Sequence, residues 1–180
     1  MIRFLSELSK AADCEIFVDI GANIGFYSIF MATEISARQV YSFEPMGAAA
    51  NEARQNIELN NLADIIQLKP MALSSKPGTA TMAVIRDLSG ANSIVDTSIH
   101  KDKKTLRTET VPTSTLDEEF PITGKRIAVK IDVEGHELDV LNGGPEFFSK
   151  NQVIVQLESY DDKGADTGVA EALINMGCRK

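Results

Sequence analysis

The sequence predicts an α/β fold of three layers, in which a mainly parallel β-sheet lies between two layers of helices. Short apolar runs rich in Val and Ile alternate with segments whose apolar residues recur at helical spacing, and this alternation is typical of βαβ units. The chain has 180 residues, 43% of them hydrophobic, which is enough for one buried core and too few for two ordinary domains. We therefore expect a single domain over residues 1–180.

The individual elements follow from these patterns in chain order. Apolar runs predict strands near residues 15–20, 39–44, 64–70, 126–133 and 152–158. Segments of helical spacing predict helices near residues 25–35, 47–60, 136–142 and 167–176. In the second helix, Ala49, Ala53 and Ile57 are four residues apart and predict the face toward the sheet. Residues 78–115 break the alternation, and two runs in them, GTATMAVIR and TETVPTSTL, predict inserted antiparallel strands that can overhang a pocket.

Charge and cysteine content narrow the range of partners. The formal net charge is −8, from 26 acidic residues against 18 Lys and Arg, and basic residues do not cluster with aromatic ones, so we expect no nucleic-acid partner. Cys14 and Cys178 have no metal-type spacing and are expected to be free thiols in a reducing compartment. The sequence shows no membrane-length apolar run and no signal peptide. We predict a cytoplasmic protein without a membrane partner.

The loop after the first predicted strand indicates which cofactor the chain binds. A dinucleotide-binding turn needs G-x-G-x-x-G, but counting from Gly21 the second and third glycine positions hold Asn23 and Phe26. This disfavours a nucleotide-dependent oxidoreductase, and a phosphate-binding P-loop motif is not found. The spacing Asp19-x-Gly21-x-Asn23-x-Gly25 is instead typical of enzymes that use S-adenosylmethionine.

The chemistry of S-adenosylmethionine suits these residues, because it carries an ammonium, a carboxylate and a sulfonium but no phosphate. We expect Asp19 to attract its cationic methionine portion and the Asn23 amide to reach its carboxylate. Glu44 ends the next strand, close to the ~20 residues after the loop at which such folds place a ribose-binding acid. Met46 is predicted to pack on the adenine, since thioethers make favourable aromatic contacts. Main-chain groups around Ala72 are candidates for the adenine amine.

A second group of charges lies in RIAVKIDVEGHE. Along a strand Lys130, Asp132 and Glu134 share one face, and three charges on a central parallel strand are explained by a pocket at its end. An ion pair between Lys130 and Asp132 at the sheet rim is the alternative. Asp132 is our first candidate for a general base and His136 the second, while Glu134 or Glu158 could orient the acceptor. These carboxylates could also gather Mg²⁺, but without a second acid motif at fixed spacing we assign no metal ligand.

Five motifs together resemble the FkbM family of S-adenosylmethionine-dependent methyltransferases. They are, in order, FVDIGANIGFYS, YSFEP, ANSIVD, TSTLDE and KIDVEGHELDVLNGG, and the resemblance spans about residues 16–160. It implies a Rossmann-like methyltransferase fold, S-adenosyl-L-methionine as the cofactor, and methyl transfer to oxygen, often a hydroxyl of a sugar or sugar-bearing natural product. By this resemblance the cofactor positions are Asp19, Gly21, Asn23, Gly25 and Glu44, and the acceptor-side positions are Asp132, Glu134, Gly135 and Glu137.

The sequence departs from the family pattern at its end. The last residue, Lys180, follows a predicted helix at the point where the fold would add a closing hairpin, so we expect that hairpin to be missing from this chain. The strand at 152–158 would then have an open edge, so either this edge pairs with a second copy as a homodimer or the chain is an incomplete domain that is prone to aggregate. Two questions stay open in the sequence. One is whether the acceptor atom is oxygen, nitrogen or carbon, and the other is whether the chain is a non-catalytic module that only binds the cofactor or a nucleoside.

Overall fold

A computed structural model describes residues 1–34, 39–84, 107–157 and 167–177. The helices are α1 (Ile2–Ala11), α2 (Phe26–Glu34), α3 (Gly47–Leu59), α4 (Leu116–Glu119), α5 (Glu137–Asn142), α6 (Pro145–Lys150) and α7 (Thr167–Asn175). The strands are β1 (Ile16–Ile20), β2 (Gln39–Phe43), β3 (Ile66–Lys69), β4 (Ala72–Leu73), β5 (Gly78–Val84), β6 (Arg107–Ser114), β7 (Arg126–Ile131) and β8 (Gln152–Leu157).

The main sheet has five parallel strands in the order β3-β2-β1-β7-β8, and this confirms the predicted α/β class. The chain builds outward from β1 to β3 and then returns to place β7 on the other side of β1. Ile20 therefore lies between Phe43 on one side and Ile131 on the other. The strand order reverses at β1, and ligands of open α/β sheets bind beyond the carboxyl ends of the strands at such a point.

A second, smaller sheet joins β4, β6 and β5 in that order. β5 runs antiparallel to β6, with Thr81 opposite Thr110, and β4 runs parallel to β6. Met82 and Val111 of this sheet pack with Met46 at the start of α3. The small sheet therefore lies against the carboxyl end of the main sheet, beside the strand-order reversal.

The core fills both faces of the main sheet, which explains why β1 and β7 are almost continuously apolar. Val18, Ile20 and Val129 belong to a cluster on one face, and Phe17 and Ala128 belong to a cluster on the other. All five residues of β1 are buried, including Asp19. A buried acid in a central strand needs partners, and these lie in the site described below.

Most predicted elements match the observed ones within a few residues, with three kinds of difference. On α3 the buried positions are Ala50, Ala53 and Ile57, whereas the predicted Ala49 instead lines a cavity. β7 ends at Ile131, two residues earlier than predicted. The short elements α4, α6 and β4, and the helix α1, were not predicted. Within the described ranges, no helix is long and apolar enough to cross a membrane.

Candidate functional site

A cavity of about 350 Å³ opens where the strand order reverses. Its walls come from the loops after β1, β2 and β7, from the start of α2, and from β4 and β5. The polar side chains that line it are those of Asn23, Tyr27, Glu44, Lys130, Asp132, Glu134 and His136. Two segments that are distant in sequence therefore share one cavity. They are the glycine loop, residues 21–25, and the KIDVEGHE segment, residues 130–137.

The glycine loop has a left-handed backbone at three positions, with φ of 76° at Gly21, 50° at Asn23 and 83° at Gly25. Gly21 is required by space as well as by conformation, because a Cβ atom there would lie 1.9 Å from the carbonyl oxygen of Asp132. The Gly21 amide also donates to the carbonyl of Phe43 at 3.0 Å. The loop is thus clamped between the ends of β2 and β7, with its backbone at the cavity wall.

Glu44 is held at the end of β2 with both carboxylate oxygens engaged. Oε2 accepts the backbone N–H of Asn23 at 2.8 Å, and Oε1 accepts that of Met46 at 2.9 Å. Burial raises the pKa of Glu44, and these two hydrogen bonds oppose that rise. Each carboxylate oxygen has further acceptor capacity, so Glu44 can accept two hydroxyl groups from the cavity side.

Lys130 is buried and forms the electrostatic centre of the site. Its Nζ donates to the carbonyl of Gly21 at 2.8 Å and lies 3.5 Å from Asp19 Oδ1 and 3.3 Å from Asp132 Oδ2. The ammonium also lies 5.1 Å from the centroid of the Tyr27 ring. Burial alone would lower the pKa of Lys130, but the two aspartates together raise it above its ordinary value. Lys130 is therefore a fixed cation rather than a proton acceptor.

Asp19 lies beneath the glycine loop, with no exposed surface. Its Oδ2 accepts the Ser28 hydroxyl at 2.6 Å, and Ser28 is in turn 2.6 Å from the Ser42 hydroxyl. Among the described residues its Oδ1 accepts no hydrogen bond and lies 3.5 Å from the ammonium of Lys130. In this arrangement Asp19 contacts Lys130 behind the cavity wall, and the predicted attraction of the cationic methionine portion stays a prediction.

The KIDVEGHE segment leaves the sheet through a tight turn after β7. Asp132 still donates its backbone N–H to Ile20 at 3.1 Å, but Glu134 and Gly135 have φ of 52° and 95°. Glu137 is buried behind this turn and accepts the Gly135 N–H at 3.0 Å. The shared cavity position of Asp132 and Glu134 is thus produced by a turn and not by strand alternation, which ends at Ile131.

The apolar side of the cavity differs from the prediction in detail. Met46 is buried in the small cluster with Met82 and Val111 and is not among the cavity-lining residues. Ala72 does line the cavity, together with Met71, Leu73 and Met82. Sequence reasoning missed Met82 because its contact depends on how the small sheet lies against the main one.

Comparison with known proteins identifies the family. The Methyltransferase FkbM domain matches residues 19–177 of the chain. The chain belongs to the FkbM methyltransferase family.

Two curated methyltransferases are similar over most of this FkbM protein. The chain is 26% identical over 190 residues to methyltransferase sdnD of Sordaria araneosa, covering 89% of this chain and 72% of that protein. It is 30% identical over 184 residues to the hexuronic acid methyltransferase AglP of Haloferax volcanii, covering 100% and 71%. Among solved structures, the O-methyltransferase TomG of Streptomyces achromogenes, in complex with SAM, superposes with a TM-score of 0.50 at 10% identity over 98% of this chain and 65% of that one. This last similarity supports the Rossmann-like methyltransferase fold.

In this FkbM methyltransferase the predicted site residues fall into two groups by position. Lining the cavity are Gly21, Asn23, Glu44, Ala72, Asp132, Glu134 and His136. Not among its lining residues are Asp19, Gly25, Met46 and Glu137; a Cβ atom added at Gly25 would lie 3.5 Å from the Cβ of Ala53. Glu158 and Cys178 lie outside the described residues. The catalytic and binding roles of all these site residues stay predictions. The positions of the cavity-lining residues are the basis of the proposals below.

Proposed function

We propose that this FkbM methyltransferase uses S-adenosyl-L-methionine to methylate a hydroxyl oxygen of a sugar or a glycosylated natural product. The observation that carries the proposal is the position of Glu44, whose carboxylate is fixed by Asn23 and Met46 at the wall of a cavity large enough for a nucleoside. A carboxylate that already accepts two backbone N–H groups and faces such a cavity is arranged to accept both hydroxyls of a ribose.

The charges around the cavity suit a cationic cofactor better than a dinucleotide. Glu44, Asp132 and Glu134 line the described wall, while the positive charge of Lys130 is shared between Asp132 and the buried Asp19. A pyrophosphate would meet these carboxylates with no uncompensated cation among the described lining residues. An ammonium and a sulfonium would be attracted by the same groups.

The apolar wall suits the adenine ring. Met71, Ala72, Leu73 and Met82 lie on the side of the cavity where the small sheet approaches the main one. Their aliphatic and thioether groups offer an apolar surface in the same cavity as Glu44, so the base and the ribose of a nucleoside would each meet a suitable wall. The residues present therefore fit the cofactor that the family resemblance implies.

When bound, S-adenosylmethionine supplies a methyl group on a sulfonium that needs no further activation. The chain has to hold the acceptor hydroxyl in line and remove its proton. Asp132 is the preferred base, because its carboxylate lines the cavity and is steadied by Lys130 at 3.3 Å. His136 is the second candidate, and Glu134 can orient the acceptor through a hydrogen bond.

Oxygen as the acceptor atom is supported by the family resemblance and by the activities for which similar proteins are named. AglP is named a hexuronic acid methyltransferase, and TomG is an O-methyltransferase. The mouth of the cavity also presents an apolar surface, since Phe26 is 61% exposed and Ile24 38% exposed, and both line it. A sugar ring, or the apolar part of a natural product that bears one, can pack on such a surface.

The proposal is tested by methyl transfer from S-adenosylmethionine with a deuterated methyl group to a panel of monosaccharides and glycosides. We expect S-adenosylhomocysteine to form together with a labelled methyl ether. The Asp132→Asn variant should lower turnover by ~10²–10⁴-fold, with a much smaller effect on S-adenosylhomocysteine affinity. The exposed Asp64→Asn variant is the matched control and should behave like the parent.

Two outcomes would contradict the proposal. Tight binding of S-adenosylhomocysteine without turnover on hydroxyl, amine or carbon acceptors would favour the non-catalytic binding module. A labelled product in which the methyl group is on nitrogen or carbon would keep the methyltransferase and refute the O-acceptor. Unchanged turnover in Asp132→Asn would move the role of base to His136.

A further inference from the structure

We propose that Asp139 is a positioning residue for His136, fixing its imidazole as the tautomer protonated on Nε2 and leaving Nδ1 as the proton acceptor. The catalytic part of this inference rests on the proposed function, in which Nδ1 would contact the acceptor hydroxyl. The tautomer itself can be measured without any methyl transfer. Asp139 lies within the segment KIDVEGHELDVLNGG, but no role is assigned to it in the sequence analysis.

The geometry joins three side chains from two elements. His136 lines the cavity, and its Nε2 lies 3.5 Å from Asp139 Oδ2, one helical turn along α5. The other oxygen of Asp139, Oδ1, accepts the hydroxyl of Ser75 at 2.9 Å. Asp139 therefore lies between the two side chains, with a hydrogen bond to the loop serine and an ion-pair distance, without a hydrogen bond, to the cavity-lining histidine.

The backbone that carries Ser75 is itself well fixed. The neighbouring Ser74 donates its N–H to the carbonyl of Ser114 at 2.9 Å. At the end of α5, Gly143 approaches the Ser74 carbonyl so closely that a Cβ atom would lie 2.1 Å from that oxygen. The loop after β4 and helix α5 thus approach each other closely, and the hydrogen bond from Ser75 to Asp139 joins them.

The chemistry of the pair sets the tautomer. A neutral imidazole has one N–H and one acceptor nitrogen, whereas a carboxylate only accepts hydrogen bonds. The nitrogen that faces Asp139 is Nε2, so Nε2 is the favoured position for the hydrogen and Nδ1 is left as the acceptor. Nδ1 can then accept a hydrogen bond from the acceptor hydroxyl and orient it, and if His136 rather than Asp132 takes the proton, the positive charge on the ring lies beside the Asp139 carboxylate.

Among the described residues, Asp139 is the acid that lies within 4 Å of His136 Nε2. Asp132 and Glu134 line the same cavity, and Asp132 is already paired with Lys130. Glu137 is turned toward the Gly135 amide. On α7, which packs against α5, the described ionisable residue is Glu171, and no contact between it and His136 is seen in the described part of the chain.

A purely structural role for Asp139 has to be separated from positioning. An acid in the first turn of a helix interacts favourably with the helix dipole, so its loss could weaken α5 without any effect on the histidine. The tautomer of His136 distinguishes the two roles, because a helix-capping effect does not select between Nε2 and Nδ1.

The chain makes this measurement direct, since it contains two histidines, His100 and His136. In the His100→Gln variant every imidazole signal comes from His136, and its ¹⁵N chemical shifts report the tautomer. At about pH 9, where an imidazole side chain is neutral, we expect predominantly the Nε2–H form. Adding Asp139→Ala should produce a mixture of tautomers. Adding Ser75→Ala, which keeps the carboxylate, should produce a smaller change in the same direction.

The kinetic arm uses the best sugar acceptor from the panel above. Asp139→Ala should lower turnover by about 10- to 100-fold, because displacement of a catalytic group by about 1 Å can cost 10²-fold. Its affinity for S-adenosylhomocysteine should match that of the parent, and Asp64→Asn serves again as the control. If Asp139→Ala fails to fold, as judged by its amide spectrum, Ser75→Ala carries both measurements.

A parent protein in which His136 is the Nδ1–H tautomer would overturn the proposal, as would a tautomer that stays unchanged in Asp139→Ala. A shifted tautomer with unchanged turnover would also overturn it, by showing that the pair has no task in the reaction. Failure of the proposed function has a different signature. The Nε2–H tautomer would be observed and would respond to Asp139→Ala, while no hydroxyl acceptor would be methylated by the parent.

Discussion

Replacing Gly21 by alanine should disrupt both the fold and the cofactor site, and three glycines of this chain allow the causes to be separated. At Gly21 the backbone has φ of 76° and a Cβ atom would lie 1.9 Å from the Asp132 carbonyl oxygen. At Gly124 the backbone has φ of 70° and no atom lies within 4 Å of such a Cβ. At Gly47, the first residue of α3, the Cβ also meets nothing within 4 Å and φ is not left-handed.

The expected magnitudes follow from these geometries. Gly124→Ala carries only the left-handed strain and should lower the free energy of unfolding by ~1–2 kcal/mol. Gly21→Ala carries the same strain and must also displace the end of β7, which adds ~1–3 kcal/mol of overpacking, so we expect a total of ~2–5 kcal/mol. Gly47→Ala should be neutral or stabilising by up to ~1 kcal/mol, since alanine favours helices.

The assay is urea unfolding of the three variants, followed by calorimetry with S-adenosylhomocysteine for each. Gly21→Ala should lose most of its affinity, because the Asp132 backbone and the loop it clamps form the cavity wall. The Gly47 and Gly124 variants should bind like the parent. If Gly21→Ala is as stable as Gly124→Ala and binds S-adenosylhomocysteine like the parent, the loop does not approach the Asp132 carbonyl as closely as described, and the reasoning is refuted.

Three further predictions concern the charges and the mouth of the cavity. Because burial raises the pKa of Glu44, S-adenosylhomocysteine affinity should fall as the pH drops through a range above that of an ordinary glutamate, and Glu44→Gln, titrated by calorimetry, should remove this dependence. The folded pKa of Glu44 lies above its unfolded pKa, so the free energy of unfolding should decrease as the pH rises through the folded pKa. Lys130→Met should cost ~3–5 kcal/mol in urea unfolding by leaving Asp19 buried and unpaired, and adding Asp19→Asn should recover part of it, whereas the exposed Lys125→Met should change stability by less than ~0.5 kcal/mol. Phe26→Ala should raise KM for the acceptor without changing cofactor affinity, and equal KM values would exclude Phe26 from the acceptor surface.

The sequence was sufficient for those features that depend on local pattern. The apolar runs of β1 and β7 are buried on both faces of the sheet, and such runs are visible in any sequence of this class. The glycine loop could be interpreted because Gly21 and Gly25 need left-handed backbone angles. The acid at the end of β2 followed from its distance to that loop.

Features that depend on packing between distant segments could not be predicted in the same way. Asp19 lies beneath the loop because Ser28 and Lys130 reach it from α2 and β7, and no spacing in the sequence encodes that meeting. Met46 turned toward Val111 because the small sheet covers it. Asp139 and Ser75 meet only through the approach of α5 to the loop after β4.

The turn at Glu134 shows a third limit. A period-two pattern predicted that Lys130, Asp132 and Glu134 share a strand face, and all three do line the cavity. The strand nevertheless ends at Ile131, and Glu134 reaches the cavity from a left-handed turn with φ of 52°. Strand alternation and a turn can place the same side chains at one site, so the pattern alone could not distinguish them.

The central claim, that the cavity beside Glu44 binds S-adenosylmethionine, is tested most directly by calorimetry of the purified chain with S-adenosylhomocysteine and, separately, with NAD. We predict micromolar binding of S-adenosylhomocysteine and a loss of ~1.5–3 kcal/mol in Glu44→Ala, the usual contribution of hydrogen bonds to a charged group. Heat from NAD with none from S-adenosylhomocysteine, or equal S-adenosylhomocysteine affinity in the parent and in Glu44→Ala, would contradict the account.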